Sequence, residues 1–257
     1  MKFHYAALTD PGMKRDNNED NCLVIPEQGL FVVSDGMGGH NAGEVASQLA
    51  LDAVKEEAEK FPVPSSSRPW WKRIFFKPKN TFNPVEWIHQ AVRNANSVIL
   101  REARADPGKK GMGATLALVL KRDEALLTAH VGDSRVYRFR RGRLEQLTQD
   151  HSLAQELVRQ GIMTEEEAMY SAPSNVLTRA LGVRETVQED IIYHSVEKGD
   201  SFLLCSDGLY NMLDDDDLVK VLGDARLSIQ DKARRLVDQA NENGGDDNIT
   251  VVLAYFD

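Results

Sequence analysis

Leu30-Phe31-Val32-Val33-Ser34 runs straight into Asp35-Gly36-Met37-Gly38-Gly39, an apolar stretch that stops on an acid and a glycine-rich turn. Short, β-branched and aromatic, the run predicts a strand, and the helical period that resumes from Ala42 to Lys60 predicts a helix behind the turn. The same punctuation recurs along the chain. Asp207-Gly208 follows the predicted strand Phe202 to Ser206, Asp133 follows Ala129-His130-Val131-Gly132, and Asp246-Asp247 precede the predicted strand Ile249 to Tyr255. Further strands are expected at Thr115 to Leu120, Ala125 to Val131, Val136 to Phe139 and Gln188 to His194, and further helices at Val85 to Arg104, Ser152 to Gln160 and Ser228 to Asn241. The helices come in clusters between runs of strands, which favours an antiparallel α+β fold of two sheets with helices outside over a doubly wound parallel sheet.

The 257 residues, 42% hydrophobic and 28% charged, suit one globular domain, 1–257, and exclude a disordered or fibrous chain. A formal charge of −9 repels nucleic acid and anionic lipid and welcomes metal cations. The two cysteines, Cys22 and Cys205, sit in apolar runs without a metal-ligand spacing, which fits a reducing cytoplasm. The stretch Met1 to Ala6 lacks the apolar core of a secretory signal and no apolar run approaches membrane-spanning length, so the chain is expected neither to cross a membrane nor to be secreted.

An aspartate beside a glycine at a strand end is ordinarily a turn or cap residue. Four such acids need four separate turn explanations, whereas one site of converging carboxylates for magnesium or manganese explains them together. The ordered set Arg15-x-x-Asn18-Glu19-Asp20, Ser34-Asp35-Gly36-Met37-Gly38-Gly39, Gly113-Ala114-Thr115, Gly132-Asp133-Ser134-Arg135, Ser206-Asp207-Gly208 and Gly245-Asp246-Asp247-Asn248 resembles the magnesium- or manganese-dependent serine/threonine protein phosphatases of type 2C. Leu147 to Ser152 and Val176 to Gly182 look like the bacterial branch of that family.

The resemblance implies a four-layer α-β-β-α sandwich of two antiparallel sheets flanked by helices, with metals in a cleft at one end. It implies hydrolysis of phosphoserine and phosphothreonine in proteins by water activated between two Mn2+ or Mg2+ ions, reversing the work of Ser/Thr kinases. Carried over by position, Asp35 bridges both metals, Asp207 and Asp247 bind the first, and the Gly36 carbonyl binds the second. Glu19 and Asp20 hold metal-bound waters, and Asp133 with Asp207 matches a third, weaker metal position. Arg15 clamps the phosphate with its planar fork. Met37 stands where animal members carry a histidine considered the leaving-group acid, which leaves a metal-bound water or His40 for that role. Phosphorylated proteins and a Ser/Thr kinase are the implied partners, and the protein is expected to act as a cytoplasmic monomer.

Other chemistries fit less well. Neither cysteine is followed by the arginine of a cysteine-based phosphatase, Gly132-Asp133-Ser134 lacks the rest of a nucleophile elbow, and Gly36 to Gly43 lacks the ending of a nucleotide-binding phosphate loop. A silent phosphoprotein-binding member would have lost ligand acids, and Asp35, Asp207 and Asp247 are all present. Asp214 to Asp217 read as the acidic first turn of a helix over Leu218 to Leu222, and Asp246 as a turn residue. The segment 61–84, with Trp70, Trp71 and five cations but no acid between Phe61 and Pro84, is expected to be an insertion loop, exposed or docking to a partner or membrane surface. Residues 151–173 are expected to form a flap beside the cleft.

Overall fold

The computed structural model describes residues 2–38, 42–60, 82–122, 125–164, 167–168 and 176–257. Most of the expected insertion, His40, and residues 165–166 and 169–173 of the expected flap therefore lie outside the described residues. One antiparallel sheet runs β1 (Phe3–Asp10), β11 (Ile249–Phe256), β10 (Ser201–Cys205), β7 (Arg135–Arg140) and β8 (Arg143–Gln146). The other runs β2 (Asp20–Ile25), β3 (Leu30–Met37), β5 (Leu116–Arg122), β6 (Ala125–Val131) and β9 (Asp190–Ser195), with the short β4 (Gly113–Ala114) also paired to β3. The sheets face each other, and helices cover both outer faces, as expected of the α+β sandwich.

β3 explains why this order is stable. Successive side chains of a strand point to opposite faces, and here both faces are apolar and buried. Phe31 and Val33 enter the core between the sheets with Ala117, Val119, Phe202, Leu204 and Val252. Leu30 and Val32 face the other way, against α1 (Ala42–Glu59) and α2 (Pro84–Ala105). Small residues at Ala42, Ala46, Ala50 and Ala53 bring α1 close to the sheet. In α2 the Asn83 side chain accepts from the Val85 and Glu86 N–H groups, and Trp87, Ile88, Ala91, Val92, Ala95 and Ile99 form its buried stripe.

The second outer face is covered by α4 (Asp207–Tyr210), α5 (Asp215–Gly223) and α6 (Ile229–Glu242), which pack on Leu203, Val251 and Leu253. Asp214 caps α5 by accepting from the Asp217 N–H, and Asp215, Asp216 and Asp217 occupy its first turn, so these acids are helix-start residues as expected. The helix α3 (Leu153–Arg159) starts on the Ser152 cap. Cys205 is buried and Cys22 half-buried, and neither is disulfide-bonded. Among the described residues no helix is long and apolar enough to cross a membrane.

Four of the described strands escape the sequence pattern. β1, β2 and β8 are edge strands in which exposed and half-buried positions predominate, so their alternation is faint, and β4 is only two residues long. β3 also extends three residues beyond the expected end at Ser34. Thr115 sustains it, donating its N–H to the Asp35 carbonyl at 2.8 Å while its hydroxyl accepts from the Asp35 N–H at 2.9 Å. Asp35 is thus held inside the strand.

Candidate active site

Antiparallel pairing brings the acids to one end of the sandwich. Asp20 opens β2 and stands directly opposite Asp35 near the end of β3. Asp207 follows β10, Asp247 precedes β11 and Asp133 lies between β6 and β7, and the register Cys205↔Arg135 and Cys205↔Val251 sets these three at that same end of their sheet. A cleft of about 890 Å³ opens there, lined by Glu19, Asp35, Gly36, Asp133, Asp207 and Asp247, with Arg15 on its rim.

Close backbone approach builds the floor. A Cβ on Gly36 would lie 1.9 Å from the Gly43 carbonyl oxygen, and one on Gly43 would meet the Glu19 carboxylate at 2.6 Å. Only glycine at both positions lets the start of α1 sit on the end of β3. The Gly43 N–H donates to the Glu19 side chain. Asn248, buried before β11, accepts from the Glu19 N–H at 2.8 Å and donates to the Pro11 and Asn17 carbonyls, so it clasps the N-terminal loop onto the acids.

The electrostatics record how tightly these carboxyls are gathered. Burial, then the charges of Asp20, Asp207, Asp133 and Asp247, pushes Asp35 well above the usual carboxylate range. Burial raises Asp20 to about 8 in spite of the Ser206 hydroxyl that donates to its Oδ2 at 2.6 Å. Burial and the charge of Asp207 raise Asp133 to about 7, and burial with Asp247 raises Asp207 to about 6. Burial also raises Glu19. Asp20 Oδ1 is buried without a hydrogen-bond partner. An unsatisfied buried carboxylate oxygen in a cluster of carboxyls is costly unless a cation, or water ordered by one, completes it. The donor set is all oxygen, which suits hard divalent ions such as Mg2+ and Mn2+. The residues fit the expected metals.

Arg15 donates through Nη2 to Asp247 Oδ2 at 2.6 Å, at the exposed side of the cluster. Asp246 turns away, paired with Lys14 at 2.6 Å, in keeping with its reading as a turn residue. Met37 lines the cleft beside Gly113. Ser134 is buried and bonded to Thr115 at 2.6 Å, which removes it as a nucleophile. A second cluster, His130, His151 and Asp190, has donor atoms within 4.8 Å of one another. Its groups are already committed: His130 Nε2 to the Gln149 carbonyl, His151 Nδ1 to the Gly132 N–H, and Asp190 to His151 and Arg179.

The sequence motifs contained Thr115, Ser206 and Asn248 without assigning them work, because a neutral side chain that holds an acid carries no charge signature. The wall formed by Val176 to Gln188, which closes the cleft on the side of β9, was missed except as a motif.

A family model described as Protein phosphatase 2C matches residues 13–246. The chain belongs to that family. It is 37% identical over 255 residues to the serine/threonine phosphatase stp of Listeria welshimeri, covering 98% of this chain and 95% of that protein. Its fold matches the crystal structure of the Mycobacterium tuberculosis serine/threonine phosphatase PstP/Ppp with a TM-score of 0.86 at 34% identity, over 100% of both chains. The catalytic domain of PstP in complex with two manganese ions matches with a TM-score of 0.83 at 35% identity, over 99% of both chains. Membership of the 2C family agrees with the sandwich, the cleft at its end and the oxygen-only donor set.

Proposed function

We propose that this chain is a metal-dependent protein serine/threonine phosphatase in which Asp35 would serve both of two divalent ions. In this reading Asp207 and Asp247 would hold the first ion, the Gly36 carbonyl the second, and Glu19 and Asp20 the waters around them, while Asp133 and Asp207 would offer a weaker third position. Two Mn2+ or Mg2+ ions held there would supply the charge that activates water against a phosphoester at neutral pH. The observation that carries the reading is the orphan Oδ1 of Asp20 among acids that burial and one another push toward the neutral form, a cost that bound cations would relieve.

The chain's own residues do the rest. Thr115 and the Asp20–Asp35 register fix the bridging carboxylate before substrate arrives. Arg15, at the rim, presents a planar fork to phosphate oxygens, for which a guanidinium is better matched than an ammonium. The substrates are phosphorylated proteins, the products of a Ser/Thr kinase, and the enzyme works as a cytoplasmic monomer built as one domain over 1–257. The test is phosphate release from a phosphothreonine peptide with Mn2+, removed by chelator and by Asp35→Asn. Tight Mn2+ binding without turnover would instead make the protein a silent phosphoprotein binder.

A further inference from the structure

The cleft has two unlike sides. One is the acid cluster. The other is the wall from Val176 to Gln188, which carries Val183 and Val187, the hydroxyls of Thr178 and Thr186, two arginines and no carboxylate among the described lining residues. Arg179 is committed, donating to Asp190 Oδ1 at 2.9 Å with its Nη1 beside His151 Nε2. Arg184 is exposed and has no ion-pair partner among the described residues. Its neighbour Glu185, which would otherwise compete for it, is drawn away by Arg104 of α2.

An exposed arginine on a floppy loop would mean little. This one stands on a fixed base. Buried Asn96 of α2 donates to the Arg184 carbonyl at 2.9 Å and the Glu185 carbonyl at 3.2 Å, and accepts from the Gly182 N–H at 2.8 Å. Gly182 has φ +80°, and a Cβ there would lie 2.1 Å from Ile99. Leu181 exchanges two backbone hydrogen bonds with Ala114, at 2.8 and 3.1 Å, and Ala114 is paired with Gly36. A short chain of backbone contacts therefore sets Arg184 relative to the acids.

We infer that Arg184 is a specificity-determining residue, selecting phosphoproteins that carry a second anionic side chain a few residues from the phosphorylated serine or threonine. This inference rests on the phosphatase reading of the cleft. With the phosphate at the acid cluster, the flanking peptide lies along the wall, Val183 and Val187 give it apolar contact, and the guanidinium fork meets a carboxylate or a second phosphate. A phosphate takes two parallel hydrogen bonds from that fork with more charge than a carboxylate, so a doubly phosphorylated segment is the stronger match. The interaction is partly exposed and weakens with added salt.

The test uses the full chain with Mn2+ and a phosphothreonine peptide with alanine at the three positions on either side. Glutamate, a second phosphothreonine, or lysine is then placed at each of these positions in turn. At one or two positions glutamate is expected to raise kcat/KM roughly threefold to fivefold and a second phosphate about tenfold, chiefly through KM. Arg184→Lys should keep most of this preference, Arg184→Ala should bring the ratio near one, and Arg184→Glu should turn it toward lysine. Equal rates for anionic and alanine peptides in the native chain, or an undiminished preference in Arg184→Glu, would overturn the inference and leave the phosphatase reading standing. A chain that releases phosphate from no peptide in the set would overturn both.

Discussion

Asp35 concentrates the conflict on which this site is built. It is pinned through its backbone by Thr115, surrounded by Asp20, Asp207, Asp133 and Asp247, and raised far above its ordinary range by burial and their charges. Function and stability therefore pull in opposite directions at this residue. Asp35→Asn should lower phosphatase turnover by about a thousandfold or more, since the proposed bridge between the metals is lost. The same change should raise the melting temperature of the chelator-treated protein by roughly 4–8 °C, because about 1–2 kcal/mol of like-charge repulsion is relieved. Thermal melts in EDTA beside phosphate-release assays check both halves, and a lowered melting temperature would contradict the electrostatic account. Gly36 is limited by space, not charge. Gly36→Ala places a Cβ 1.9 Å from the Gly43 oxygen, and denaturant unfolding should show a loss of about 2 kcal/mol or more from the displaced start of α1.

At the scale of elements, α4 does more than end β10. Its first residue is Asp207, and its last, Tyr210, donates its hydroxyl to the Asp133 carbonyl at 3.2 Å. The Arg135 guanidinium lies 3.6 Å over the Tyr210 ring and forms a bidentate pair with Asp150 at 2.8 and 3.0 Å. One ring thus ties the turn carrying Asp133 to the helix carrying Asp207. Tyr210→Phe keeps the ring and removes the tie, so the Mn2+ concentration for half-maximal rate should rise severalfold while tight-site binding by calorimetry changes little. The wall obeys the same logic through Asn96. Asn96→Ala leaves an N–H and two carbonyls without their partner and should cost about 2–3 kcal/mol in chemical denaturation.

At the scale of the whole molecule, one pH-sensitive feature apart from the acid cluster is a buried histidine pair between β6, β9 and the start of the expected flap. The rings of His130 and His151 stack 4.4 Å apart, facing Arg179 and Asp190. Burial, followed by the charge of His130, lowers His151 to about 4, and burial lowers His130 as well. A histidine depressed in the fold stays neutral there while the unfolded chain takes up a proton. Its contribution is complete above pH 6.5 and is lost as pH falls toward 4, at about 1.4 kcal/mol per pH unit for each such group. In chelator the raised carboxyls of the acid cluster act with the opposite sign, taking up protons in the fold before the unfolded chain does, so the pair is isolated by difference. The melting temperature of the native chain relative to His151→Gln should fall between pH 6.5 and 4. A difference that does not change with pH would show that the pair is not a sensor.

The sequence by itself determined the strand interiors, the helices and the identity of the acids. Apolar runs such as Leu30 to Val33 have one stable location, and the spacing of Trp87, Ile88, Ala91 and Val92 has one helical reading. The ordered motifs likewise marked Asp35, Asp207 and Asp247 before any contact was known. The edge strands β1, β2 and β8 and the neutral holders were not legible, because β8 has no buried face of its own and Ser206 meets Asp20 across 186 residues. Only tertiary structure decided that Asp20 opposes Asp35 with one oxygen unsatisfied, and that Arg184 stands on a braced wall without an ion-pair partner among the described residues. Register, sheet packing and burial create those juxtapositions, and none of the three is a property of a residue and its sequence neighbours.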